Sequence, residues 1–112
     1  NGLIAGQSAF LGQLAENADY RTNIGISNTG TSNATVQVKL FDATGSQLTS
    51  YSVTLLPGEW KQENRPFLNK AGQSNMARGY AQVLVNAGSG IIAYASVIDA
   101  RTGDPITRVM MQ

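Results

Sequence analysis

Apolar and polar residues alternate with a period of two along most of this chain. In residues 33–41, Ala34, Val36, Val38 and Leu40 fall on one side and Thr35, Gln37 and Lys39 on the other. Residues 79–85 repeat the pattern, with Ala81, Val83 and Val85 set against Tyr80 and Gln82. A period of two places one face of an extended strand in a core and the other toward solvent. Such segments recur from end to end, separated by Gly, Asn, Asp, Ser and Pro.

The strands can be read one by one. Residues 3–5 and 9–14 are short apolar pieces around Gly6-Gln7-Ser8, compatible with two edge strands or one interrupted strand. Residues 16–19 read as a loop. Residues 20–27 put Tyr20, Thr22, Ile24 and Ile26 on one face, with Gly25 on the other marking a bulge or a close approach. Asp42-Ala43-Thr44-Gly45 is a hairpin loop. In the return strand, residues 47–56, apolar parity changes between Leu48 and Tyr51, which predicts a bulge or a change of sheet.

Pro57-Gly58 occupies the central positions of a type II turn. Trp60, Gln62 and Asn64 then share one face of a short strand. Residues 65–76 are the least strand-like, with one helical turn at Pro66-Phe67-Leu68. Residues 91–99 are apolar on both faces and read as a central strand. Residues 106–111 form the last one. About seven to nine strands with no long helix predict an all-β, antiparallel, immunoglobulin-like β-sandwich, with a closed barrel as second choice.

Composition bounds the chemistry. The 112 residues suit one domain, 1–112. There is no His and no Cys, which removes the commonest metal ligands, the imidazole base and any thiolate. Charged residues make up 13%, about half the ~25% of an average soluble protein, so uncharged polar groups carry the surface. A net charge of +1 with scattered Lys and Arg gives no footprint for nucleic acid. No apolar run reaches the ~20 residues of a membrane helix, so membrane insertion is not expected. The first residues lack the basic start and long apolar stretch of a signal peptide. Without disulfides, a bacterial exported domain fits better than a eukaryotic extracellular one.

Three segments carry a family resemblance: Tyr20-Arg-Thr-Asn-Ile-Gly-Ile-Ser-Asn28, Leu55-Leu-Pro-Gly-Glu-Trp-Lys-Gln62 and Ala93-Tyr-Ala-Ser-Val-Ile-Asp-Ala-Arg-Thr-Gly-Asp-Pro105. On them the chain resembles immunoglobulin-like β-sandwich modules of bacterial secreted and cell-surface proteins, from about Gly6 to Gln112. The resemblance implies an extracellular accessory or scaffolding role beside other domains. It brings no catalytic residues.

Candidate sites follow from single residues. Trp60 with Tyr51, Tyr80 and Tyr94, and with Tyr20, would make an aromatic platform for sugar rings. The competing reading is that these rings fill the core or its rim. The carboxylates Glu16, Asp19, Asp42, Glu59, Glu63, Asp99 and Asp104 read mostly as solvated turn and rim groups. Asp99 and Asp104 would suit Ca²⁺, or staple their turn by side-chain-to-backbone bonds, and Arg21 is a candidate partner for these acids. Lys39, Lys61 and Lys70 invite a Ser–Lys pair or an internal isopeptide bond, but no motif frames either, and Lys39 should point outward. Asn33-Ala34-Thr35 is a glycosylation sequon read as unmodified.

The segment 1–14 carries no charge. It reads as an ordinary edge strand or as one exchanged with a neighbour through Leu3, Ile4, Phe10, Leu11 and Leu14. The expected function is a noncatalytic structural or adhesive module, secreted or on the bacterial cell surface. It would need no cofactor or metal. Its partners would be other domains of a larger chain, neighbouring subunits or a polysaccharide. A carbohydrate-binding module and a strand-exchanged fibre subunit are the alternatives.

Overall fold

The computed structural model describes residues 2–112. They form eight strands and one short helix: β1 (Ser8–Glu16), β2 (Tyr20–Asn28), β3 (Ala34–Phe41), β4 (Gln47–Leu55), β5 (Trp60–Asn64), α1 (Pro66–Ala71), β6 (Met76–Ala87), β7 (Ile91–Asp99) and β8 (Pro105–Val109). Two antiparallel four-stranded sheets pack as a sandwich, as the alternation predicts. The first has the order β1-β6-β3-β4 and the second β5-β2-β7-β8.

The inner faces are those that the period-two pattern names. Ala34, Val36, Val38 and Leu40 of β3 and Ala81, Val83 and Val85 of β6 are buried. They meet Ile24 and Ile26 of β2 and Ile91, Ala93 and Ala95 of β7 from the opposite sheet. Each such aliphatic side chain contributes about 1.5–3 kcal/mol on full burial, which makes this two-layer contact the main source of stability. Strand β7 is central, between β2 and β8, but its second apolar face is not covered: Ile92 is exposed.

The predicted irregularity in β4 is a bulge. Leu40 faces Thr49 and Phe41 faces Gln47, so Leu48 has no opposite number. The Pro57-Gly58 turn is closed by the Glu59 amide donating to the Leu56 carbonyl at 3.0 Å, with Gly58 at φ 78° as a type II turn requires. Gly25 does not mark a bulge, because the β2 register is continuous with both neighbours.

The segment 65–76 folds as foreseen, with Pro66 opening α1, but its anchor was not. Glu16 is the last residue of β1, not part of a loop, and is buried rather than solvated. Its carboxylate accepts the Phe67 amide at 2.8 Å and the Leu68 amide at 3.1 Å, satisfying two orphan donors of the helix start. Phe67 is carried into the core with no exposed surface. Gly72, at φ 68°, ends the helix: its amide donates to the Leu68 carbonyl and that of Gln73 to Phe67, a Schellman closure.

The two open sides of the sandwich differ. On one, the chain ends stitch the sheets together. Leu3 and Ile91 exchange backbone hydrogen bonds of 2.8 and 3.0 Å, and Phe10 and Met111 exchange bonds of 2.8 and 2.9 Å. On the other, the edges of β4 and β5 leave a cavity of about 310 Å³, lined by Tyr51, Lys61, Glu63 and Lys70 among others. The Lys61 ammonium donates to the Thr54 carbonyl at 2.7 Å across that gap.

Candidate functional site

The outer face of the second sheet carries an ordered polar–aromatic array. Strand β5 is five residues long, and alternation turns Trp60, Gln62 and Asn64 outward while Lys61 and Glu63 face the gap between sheets. Register places Trp60 beside Ser27, Gln62 beside Gly25 and Asn64 beside Asn23. One strand further, Ile92, Tyr94 and Ser96 continue these three rows.

Gly25 makes the array possible. A Cβ built there would lie 2.4 Å from the Tyr94 ring, so the ring rests over the backbone of β2 where a side chain would otherwise stand. In that position Tyr94 reaches β5. The Trp60 indole N–H donates to the Tyr94 hydroxyl at 3.2 Å. The hydroxyl donates to Gln62 Oε1 at 3.4 Å, and Gln62 Nε2 donates to Asn64 Oδ1 at 2.7 Å. Four side chains thus form one directional relay of donors along the strand. Trp60 remains 50% exposed, so the relay fixes a large ring without burying it. This rules out the core-filling reading for Trp60.

The other aromatic residues lie elsewhere. Tyr80 is on the outer face of the first sheet, stacked on Phe41 (centroids 4.7 Å, interplanar 9°) with Phe10 tilted against it at 6.1 Å. Face-to-face stacking occupies one side of each of those two rings. Tyr51 packs against the core beneath Lys70, whose ammonium is 5.4 Å from the ring centroid. Its hydroxyl is buried without a partner, and burial, then the nearby Glu63 and Glu16 charges, push its pKa up. Tyr20 is packed at the core edge under Arg101. The five predicted rings therefore do not share a platform; Trp60 and Tyr94 do.

Sequence reading missed what adjoins them. Below the relay, Arg21, Asn23, Gln62, Asn64 and Arg65 line a groove of about 350 Å³. Asn23 Oδ1 is buried there without a hydrogen-bond partner. The ion pairs among the described residues are Lys70–Glu63 and Arg101–Asp99, so neither groove arginine is engaged in one. Arg65 takes a left-handed conformation at φ 50°, unusual for a residue with a side chain and for one preceding proline. The signal available in sequence was Asn23, outward on a strand whose inner face is apolar.

The remaining candidates resolve locally. Asp99 staples its turn: it accepts the Arg101 amide at 2.8 Å and pairs with the guanidinium at 3.2 Å, which holds its pKa below the usual carboxylate range. Asp42 does the same in its hairpin, bonded to the Thr44 hydroxyl at 2.6 Å and to the Ser46 amide, and its pKa is also lowered. Among the described residues no three acidic side chains are grouped. Asn33 is exposed, and Lys39 is half-buried on the outer face of β3. Of the segment 1–14, Leu3, Leu11 and Leu14 lie in the chain's own core, while Ile4 and Phe10 are exposed.

No family model matches this sequence, and no curated protein matches it. Solved structures do share its fold. Protein 1070 of Thermotoga maritima superposes with a TM-score of 0.71 at 13% identity, over 98% of this chain and 96% of that one. The Anabaena sensory rhodopsin transducer superposes with a TM-score of 0.59 at 13% identity, over 81% of this chain and 98% of that one. At such identities the likeness is one of β-sandwich architecture.

Proposed function

We propose that this chain is a noncatalytic module that makes contact with its partner through the outer face of the β5-β2-β7-β8 sheet. The setting we assign is secreted or on a bacterial cell surface, as for the immunoglobulin-like modules that the sequence resembles. One observation carries the reading: Trp60 is half exposed yet held by Tyr94, and Tyr94 by the absence of a side chain at Gly25. A large aromatic ring fixed before binding loses little rotamer entropy on contact, which is how aromatic anchors act at interfaces. The low charge content agrees with a surface built for contact by neutral polar groups.

A polysaccharide is the second reading of the same face, beside a neighbouring domain or subunit. The relay of amides next to an exposed indole favours it, since apolar sugar faces stack on aromatic rings and hydroxyls pair with amides.

Trp60 is the only tryptophan, so its accessibility to iodide reports on this face alone. Quenching should fall when the face is covered, either at high protein concentration or with a bound polysaccharide. Unchanged quenching across both series, with W60A matching wild type in every association assay, would sink the proposal.

A further inference from the structure

The groove beside the Trp60–Tyr94 relay has a chemistry that narrows its ligand. Two guanidinium groups, from Arg21 and Arg65, flank three amide side chains, Asn23, Gln62 and Asn64. Guanidinium is a planar fork that matches a carboxylate with two parallel hydrogen bonds. The ion pairs among the described residues do not include Arg65, and the Glu16 carboxylate, which feels its charge, is bonded through both oxygens to the Phe67 and Leu68 amides. The charge of Arg65 is therefore not neutralised by a direct partner. Its left-handed backbone is held by the amide bond to the Thr22 carbonyl at 2.8 Å and by the helix that begins at the next residue. Such unusual conformations persist where surrounding structure enforces them, and they concentrate at binding sites.

Asn23 adds a second, independent sign. Its buried Oδ1 has no partner, and turning the amide over would leave an N–H₂ there instead. Buried polar atoms are almost always paired, with protein groups, ordered water or a ligand. A hydroxyl can serve as donor or acceptor and fits either orientation. Asn64 is already an acceptor for Gln62, which leaves its own N–H₂ group to donate.

Along β5 the strand rise places Trp60 and Asn64 roughly 13 Å apart. The aromatic pair sits at one end of that span and the arginines at the other. The arrangement asks for a ligand with an apolar ring face, several hydroxyls and a carboxylate, repeated along an extended chain. We propose that this groove binds a uronic-acid unit of an acidic polysaccharide, with the carboxylate on Arg65 and Arg21, a hydroxyl on Asn23, and a neighbouring sugar ring on Trp60. The inference rests on the contact-face reading above and specifies its ligand. An acidic peptide would satisfy the arginines, but its backbone presents no repeating flat ring face to lie on the exposed indole.

The test is affinity electrophoresis and titration of the full chain against polygalacturonate, its methyl ester, neutral xylan and dextran sulfate. Polygalacturonate should be retained, and its methyl ester should bind at least about ten-fold more weakly, the usual scale for losing a charge-assisted hydrogen bond. R65A and R21A should each weaken polygalacturonate by a similar factor while leaving the Trp60 emission and circular dichroism unchanged. Retention of neutral xylan that W60A abolishes and R65A spares would overturn the uronate assignment and leave the contact face standing. Equal binding to dextran sulfate would also overturn it, as charge attraction alone. Failure to bind any of the four would overturn it too, with the contact face then judged by the quenching experiment.

Discussion

The carboxylate of Glu16 accepts the backbone amide of Phe67 at 2.8 Å, across 51 residues of sequence, and so ties the end of β1 to the start of α1. The bond is made inside the protein, where Glu16 is 4% exposed. Desolvation outweighs the two amide bonds and the Arg65 charge, and the Glu16 pKa is raised above 4.5. The sign matters. The native state holds this proton where the unfolded chain has lost it. The group's contribution is therefore most favourable below pH 4.5 and diminishes as pH rises through the raised value. E16Q does not titrate. Urea titrations from pH 4 to pH 8 should show the difference in unfolding free energy, wild type minus E16Q, decreasing through that window and then flat. A constant or increasing difference would contradict the burial argument. Asp42 and Asp99 act oppositely and lower down: their depressed pKa values give stability that is lost as pH falls below about 3.8.

Removing the carboxylate altogether is a different experiment. E16A leaves the Phe67 and Leu68 amides without their acceptor. A buried amide without a partner costs about 1–3 kcal/mol, and the helix start should fray. Hydrogen exchange would show amide protection lost at residues 67 and 68 before the sheets open.

Gly25 and Tyr94 should prove energetically coupled. In G25A the new methyl group meets the Tyr94 ring at 2.4 Å, so the ring must swing out and the indole loses its bond. The expected cost is about 1–3 kcal/mol with a change in Trp60 emission. In a Y94A background the same substitution should cost little. The double-mutant cycle reads this directly, and additivity would disprove the contact.

Phe67 is a core residue supplied by a helix of six residues. F67A should cost about 3–5 kcal/mol. G79A should also destabilise, because a methyl group there would lie 2.7 Å from the Phe67 ring. Thermal unfolding of the two single variants measures both.

A chain lacking residues 1–14 gives up Leu3, Leu11 and Leu14, all fully buried. At about 1.5–3 kcal/mol each, their loss rivals the whole stability of a typical domain. The truncated chain should be unfolded alone and should fold when a synthetic peptide of residues 1–14 is added. Light scattering of the intact chain then tells whether the segment closes its own sandwich or that of a neighbour. A folded, monomeric truncated chain would remove the segment from the core.

Much of this fold was legible because period-two alternation is a direct image of burial. It identified the inner faces of β3 and β6, and the parity break at Leu48 located the bulge; for β7, apolar on both faces, it could not tell the buried side from the outer one. It could not say which sheet a strand joins. Residues 79–86 and 91–99 are separated by a short Gly-rich loop, yet β6 and β7 lie in opposite sheets. Alternation gives a face, not a neighbour. The same limit hid the site: Trp60, Tyr94, Gly25 and Asn23 come from three strands, and only register brings them together. Glu16 was misplaced because a carboxylate before an Asn-Ala-Asp stretch carries no mark of a helix start fifty residues away.

Eight strands have seven connections, and only β3–β4 and β7–β8 join neighbours in one sheet; the other five cross the sandwich. During synthesis, β1 and β2 emerge long before β6 and β7, the strands that they pair with. The ribosome would present an apolar N-terminal strand with nowhere to go until residue 87 is made. Folding should therefore be slow for a domain of this size and cannot be completed before β7 has been made. Nascent molecules would then depend on whatever shields that strand in the interval.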